Sequence, residues 1–154
     1  MTKYRFADLP RWVTKVKKIQ DAVVSQATSD MLSDIKVVPG IARGGSRQQG
    51  TIPRDLGTLA ASLTSTLYGS SAMSQTGAAS YVLVAGAMEG GDVAQFTWGG
   101  PAAGYAARVH YGFTGTDSLG RTYNQPGTFW VDVAAAGWQG YVARAVTKAK
   151  AAIQ

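Results

Sequence analysis

The stretch that decides the fold is residues 9–35, LPRWVTKVKKIQDAVVSQATSDMLSDI. Within it Leu9, Trp12, Val16, Ile19, Val23, Ala27, Met31 and Ile35 recur at steps of three and four, one apolar stripe at the helical period. Asp8 stands where an N-cap belongs, and Pro10 falls in the first turn, where a missing N–H costs nothing. Pro39-Gly40 supplies the stop. The spacing predicts a helix over 9–36. At 1.5 Å per residue it would run roughly 40 Å, more than a domain of this size needs to cover its own core. Part of the stripe is therefore expected to pack on another chain.

Downstream, residues 40–54 set Gly44, Gly45 and Gly50 among Arg43, Arg47 and Arg54, which predicts a basic loop. Residues 53–62 read as a short helical turn that hands over to a strand at 63–68. A Gly/Ser-rich break at 69–79 follows, then the apolar run 81–85, read as a buried strand. Glu89-Gly90-Gly91-Asp92 reads as a hairpin-like turn into a partner strand at 93–98. The sheet region is thus placed at 58–98. Residues 105–110 predict a short helix or extended segment closed by Gly112, and 113–127 a long loop or hairpin arm.

The last segment, 130–152, is predicted helical on Val131, Ala134, Ala135, Trp138, Val142, Ala145, Val146, Ala149 and Ile153. Gly137 and Gly140 each weaken it by about 1 kcal/mol relative to alanine. The expected fold class is α+β, one domain over 1–154. It has a long N-terminal helix, a small antiparallel sheet, a C-terminal helix packed on the sheet, and long flexible loops.

Composition excludes most chemistry. The 154 residues contain no cysteine and one histidine, His110, which removes disulfide scaffolds, thiol nucleophiles and zinc or iron–sulfur centres. Acid is scarce, with 9 Asp and Glu against 15 Lys and Arg. Asp30 and Asp34 lie one helical turn apart and Glu89 and Asp92 flank a turn, so neither pair reads as an acid/base or metal site. No phosphate-loop or nucleophile-elbow spacing occurs, since Gly44-Gly45-Ser46 lacks the lysine and the preceding strand. No enzyme, cofactor or metal is expected. No apolar run approaches the roughly 18 residues of a membrane span, and Asp8 and Pro10 interrupt any signal-like segment after Lys3 and Arg5. A soluble protein made in a reducing compartment is the expectation.

The net charge of +6 has two locations. Lys3, Arg5, Arg11, Lys15, Lys17 and Lys18 crowd the first eighteen residues, interleaved with Tyr4, Phe6 and Trp12; Arg43, Arg47 and Arg54 form the second cluster. Three readings stand side by side: a solvated helix face, a phosphate-binding surface with stacking aromatics, and a contact with acidic patches of a protein partner.

Pro53-Arg54-Asp55-Leu56-Gly57-Thr58-Leu59-Ala60-Ala61-Ser62 resembles the P-x-[DK]-T-G-x-L-x-x-S motif that follows a long N-terminal helix in the tail-completion or neck proteins of tailed bacteriophages, akin to minor tail protein Z. Tyr105-Ala106-Ala107-Arg108-Val109-His110-Tyr111-Gly112 resembles that family's Y-A-x-x-V-E-[FY]-G, and Phe129 its phenylalanine before the final alanine-rich helix. The blocks, in the family's order, span nearly the whole chain. Departures are Leu56 in place of threonine, His110 in place of glutamate with a possible pH sensitivity, and a longer excursion at 113–127. Thr58 offers a hydroxyl in place of the lost one.

The resemblance implies a non-enzymatic virion protein: a ring, commonly sixfold, at the head–tail joint or proximal tail end. Its partners would be copies of itself, the neighbouring connector and tail-tube proteins, and transiently the genomic DNA in the lumen, with no membrane. Pro53, Asp55, Gly57, Leu59, Ser62, Tyr105, Ala106, Val109, His110, Gly112 and Phe129 would be architectural. Arg43, Arg47 and Arg54 would face the lumen or an acidic neighbour. A basic nucleic-acid-binding module working through the N-terminal helix is the alternative.

Overall fold

The computed structural model describes residues 6–54 and 57–152; Lys3, Tyr4, Arg5, Asp55, Leu56 and Ile153, and the side chain of Phe6, lie outside it. Helix α1 runs Leu9–Ser33. Asp8 occupies the N-cap position but its side chain caps nothing, because a 3-10 turn, Phe6–Asp8, leads straight into the helix. The helix stops before the expected residue 36. Val37 and Val38 are β-branched and precede a proline, and both features favour extended backbone. Lys36–Pro39 is accordingly a strand, β1, paired in parallel with β2, Thr51–Arg54. The basic loop of 40–54 thus ends in a strand and holds a 3-10 turn at Ile41–Arg43.

Beyond α2, Thr58–Ala61, come β3, Thr64–Tyr68, and β4, Met73–Thr76. The latter lies inside the stretch expected to be a break. The apolar run at 81–85 is not a strand. It forms the middle of α3, Ser80–Ala87. A short run apolar on all sides has no period to separate the two states. The choice falls to the Ser80 hydroxyl, which bonds the Leu63 carbonyl at 3.2 Å and lies 2.7 Å from the Ser65 hydroxyl. Strand β5, Val93–Thr97, follows the predicted turn, and the sheet order is β4-β3-β5, antiparallel throughout. Leu67, Val84 and Met88 form the core between this sheet and α3, with Val24 of α1 packed against them.

Helix α4, Ala106–Tyr111, leads into the hairpin of β6, Gly112–Thr116, and β7, Thr122–Pro126, where an arm was expected. The predicted C-terminal helix breaks at Gly137 into α5, Trp130–Ala136, and α6, Trp138–Ala152. The Gly137 amide bonds back to the Ala134 and Ala135 carbonyls, no further than three residues away, so the glycine closes one helix. Instead of packing on the sheet, α6 doubles back along α1, with Tyr141 Oη donating to Asp34 at 2.8 Å and Lys148 near Asp30. Ala134, Ala145 and Ala149 of the expected stripe are buried, whereas Val131, Ala135 and Trp138 face outward. The whole is an α+β fold.

Charge is segregated in this fold. From Leu56 to Ala107 the only charged residues are Glu89 and Asp92, both in the turn before β5. The three-stranded sheet and α3 are therefore electrically neutral.

Candidate functional site

The three motif blocks, far apart in sequence, meet in one core. Ile52 of β2, Leu59 of α2, Ala106 and Val109 of α4, and Trp130 of α5 form a single buried cluster with Ala103, and Trp98 packs edge-on against Trp130. Gly57 takes the left-handed conformation, φ +83°, that turns the chain from β2 into α2. No side chain caps α2, so Thr58 does not replace the missing family hydroxyl. Ser62 binds its own turn through the Leu59 carbonyl and accepts the Gly99 amide at 3.0 Å, tying the end of α2 to the segment after β5.

The second and third blocks are joined by backbone. The Thr128 and Phe129 amides donate to the Val109 and His110 carbonyls at 3.1 and 3.0 Å. Gly112, φ +85°, lets the hairpin base close here: a Cβ on it would stand 2.6 Å from the Gln125 carbonyl and 2.7 Å from the Gly127 amide. Phe129 is the one non-glycine residue with positive φ among those described.

His110 is buried, ringed by Tyr111, Phe129 and Trp130. Its Nε2 lies 2.9 Å from Asp132 Oδ2. A carboxylate only accepts, so Nε2 carries the proton and donates. Its Nδ1, Thr128 Oγ1 and Trp130 Nε1 are buried with no hydrogen-bond partner among the described residues. Asp132 is a residue that sequence reasoning missed. It lies twenty-two positions from His110 with no spacing to connect them.

Pro53, Gly57, Leu59, Tyr105 and Val109, five of the motif residues, line a cleft of about 610 Å³ with Ile41, Ala42, Arg47, Arg108 and Gln125. Ala106 lies buried behind it. Arg47 is held within the chain, donating to Gln125 Oε1 at 2.7 Å and to the Pro126 carbonyl at 3.1 Å, so it pins the base of the hairpin. Arg108 stacks over Phe113 at 4.7 Å. Arg54 ends β2 exposed, and Arg43, also exposed, closes the 3-10 turn. Asp55 lies outside the described residues.

A second feature is the free end of α1. Lys17 bridges Asp21 and Glu89, and Asp21 also accepts the Gly90 amide at 2.6 Å. That amide, with Lys17 in support, holds the Asp21 carboxyl below its ordinary value; the two carboxylates raise Lys17. Before this clamp, Leu9, Trp12 and Val13 stand 52%, 60% and 52% exposed. On the opposite side of the helix, Arg11, Lys15 and Lys18 flank Thr14 along a shallow groove.

Among the described residues no cluster of acids and histidine could hold a metal ion, and no helix is long and apolar enough to cross a membrane. Comparison with protein-family models, curated proteins and solved structures yields no match.

Proposed function

We propose that this chain is a structural, non-catalytic subunit of a ring at the head–tail joint or proximal tail end of a tailed bacteriophage. One observation carries the proposal: motif residues separated by about fifty positions line one core and one cleft, while apolar side chains elsewhere are left without cover. Leu9, Trp12 and Val13 on α1 and Val82 and Leu83 on α3 are large, exposed and grouped by element. Exposed apolar groups of this kind occur at protein–protein, membrane and ligand contacts. A ring, sixfold in the family resembled, would use these faces between copies. Connector and tail-tube proteins would lie above and below, and genomic DNA would pass transiently through the lumen. The test is the composition of purified virions. Finding the chain there, with antibody label at the neck, supports the proposal; its absence from intact virions removes it.

A second function is favoured by a separate observation. Arg11, Lys15 and Lys18 lie on one face of α1 without an ion pair among the described residues, at helical separations of roughly 4.5–6 Å along the axis. If all three cations meet phosphates of duplex DNA, log K against log salt falls with a slope of roughly −2.7. Absence of binding at low salt removes this function and leaves the ring proposal intact.

A further inference from the structure

The outer face of the three-stranded sheet carries Thr64, Thr66, Tyr68, Ser74, Val93 and Gln95 and no charge. The side chains are bonded across the strands: Thr66 to Ser74 at 3.1 Å, and Tyr68 to Gln95 at 3.2 Å. Both outer strands, β4 and β5, are edges. Their outward N–H and C=O groups have no backbone partner among the described residues.

Exposed edges in soluble proteins are usually blunted by very short strands, lysine, proline, an inward charge or a bulge. The edges here are short, β4 being MSQT and β5 VAQFT, but they carry no charge, proline or bulge. Val93 is 61% exposed on β5, and the neighbouring α3 shows Val82 and Leu83 to solvent. An occupant bearing charge would lose hydration against this surface and find no counter-charge there. The chain itself offers a matching surface, because the opposite edge of the same sheet is equally uncharged.

We propose that β5 of one copy pairs with β4 of the next, extending the sheet from subunit to subunit. The topology fixes the sense of the joint. Both β4 and β5 run antiparallel to β3, so they run the same way as each other. Copies related by rotation about a ring axis therefore meet as a parallel pair, β5 to β4. A contact between two different edges is heterologous, and it closes into a ring where the rotation between copies is a whole fraction of a turn. A two-fold pairing of β5 with β5 would instead be antiparallel and stop at a dimer. The head-to-tail sense rests on the ring proposal.

The absence of cysteine from the chain makes the joint directly testable. Ser74, Thr66 and Gln95 form one row across the sheet, so cysteines at Ser74 and Gln95 occupy facing edges on one face. Neighbouring strands lie about 4.7–4.9 Å apart, inside the roughly 4.4–6.8 Å Cα separation that a disulfide spans. The full-length Ser74→Cys/Gln95→Cys protein, and Ser74→Cys/Thr97→Cys to allow for stagger by one pleat, would be mildly oxidised and run without reductant. The expected result is a ladder of covalent multimers in at least one double variant, with every single variant remaining monomeric. Ser118→Cys at the hairpin tip measures random collision. A dimer from Gln95→Cys alone, formed faster than that control, overturns the head-to-tail joint; no multimer in either folded double variant overturns edge pairing altogether. Folding of each variant is checked by circular dichroism, and Val93→Lys added to each double variant is expected to abolish multimers while the protein remains folded. A ladder from a chain that virions lack would remove the virion role and keep the joint. A virion-resident chain without a ladder would do the reverse.

Discussion

Replacing Gly112 by alanine tests whether the second motif block acts as a structural joint. Its backbone, φ +85° and ψ 172°, lies in a region that only glycine adopts readily, and a side chain there costs about 1–3 kcal/mol. The new Cβ would also press on backbone at 2.6 and 2.7 Å, from the Gln125 carbonyl and Gly127 amide. Backbone on both sides cannot rotate away, so the hairpin base must open. Opening strains the bonds from the Thr128 and Phe129 amides to α4, each contributing about 1 kcal/mol. The expected loss is about 3–5 kcal/mol, a fall in Tm of roughly 10 °C for a chain of this length. Gly120→Ala is the matched control. It also has positive φ, +76°, but nothing lies within 4 Å of its Cβ, so only the conformational cost of about 1–2 kcal/mol applies. Urea and thermal unfolding followed by circular dichroism would measure both. Equal small losses would refute the tight joint.

Three further outcomes are expected. Leu59→Ala, in the core shared by the motif blocks, destabilises by about 2–5 kcal/mol, whereas Tyr105→Ala at the cleft rim costs far less; urea titration separates them. Trp12→Ser leaves the unfolding midpoint nearly unchanged, because that side chain is 60% exposed, yet lowers the oligomer fraction seen by analytical ultracentrifugation. Acid unfolding responds to Asp21: its folded pKa is depressed, so its stabilisation is complete above the unfolded value of 3.8 and is lost as pH falls through the lower folded value. Asp21→Asn should flatten that part of the stability-against-pH curve, and an unchanged curve would show that the carboxylate does not clamp Gly90.

What was legible in sequence follows from length and period. Twenty-five residues of α1 repeat the stripe seven times over, and β5 and the hairpin are bracketed by turn formers. Strands β1 and β2 were hidden because each has four residues and a proline, and their parallel pairing bridges a glycine-rich loop. Helix α3 was misread because an uncharged run of eight has no polar face to set a period. It is apolar outside as well as inside, with Val82 and Leu83 exposed. The motif residues were visible one by one, but their convergence on a cleft was not. Likewise His110 was visible and its partner Asp132 was not, since only the tertiary fold brings α4 against α5.

On the ring-subunit proposal a tailed phage encodes this chain, and the most direct measurement is mass spectrometry of that phage's purified, intact virions, combined with antibody labelling in negative stain. The chain should be present in ring-like stoichiometry, with label confined to the head–tail joint or the proximal end of the tail. Intact virions that lack the chain, or that carry it dispersed over the capsid, would contradict a ring subunit.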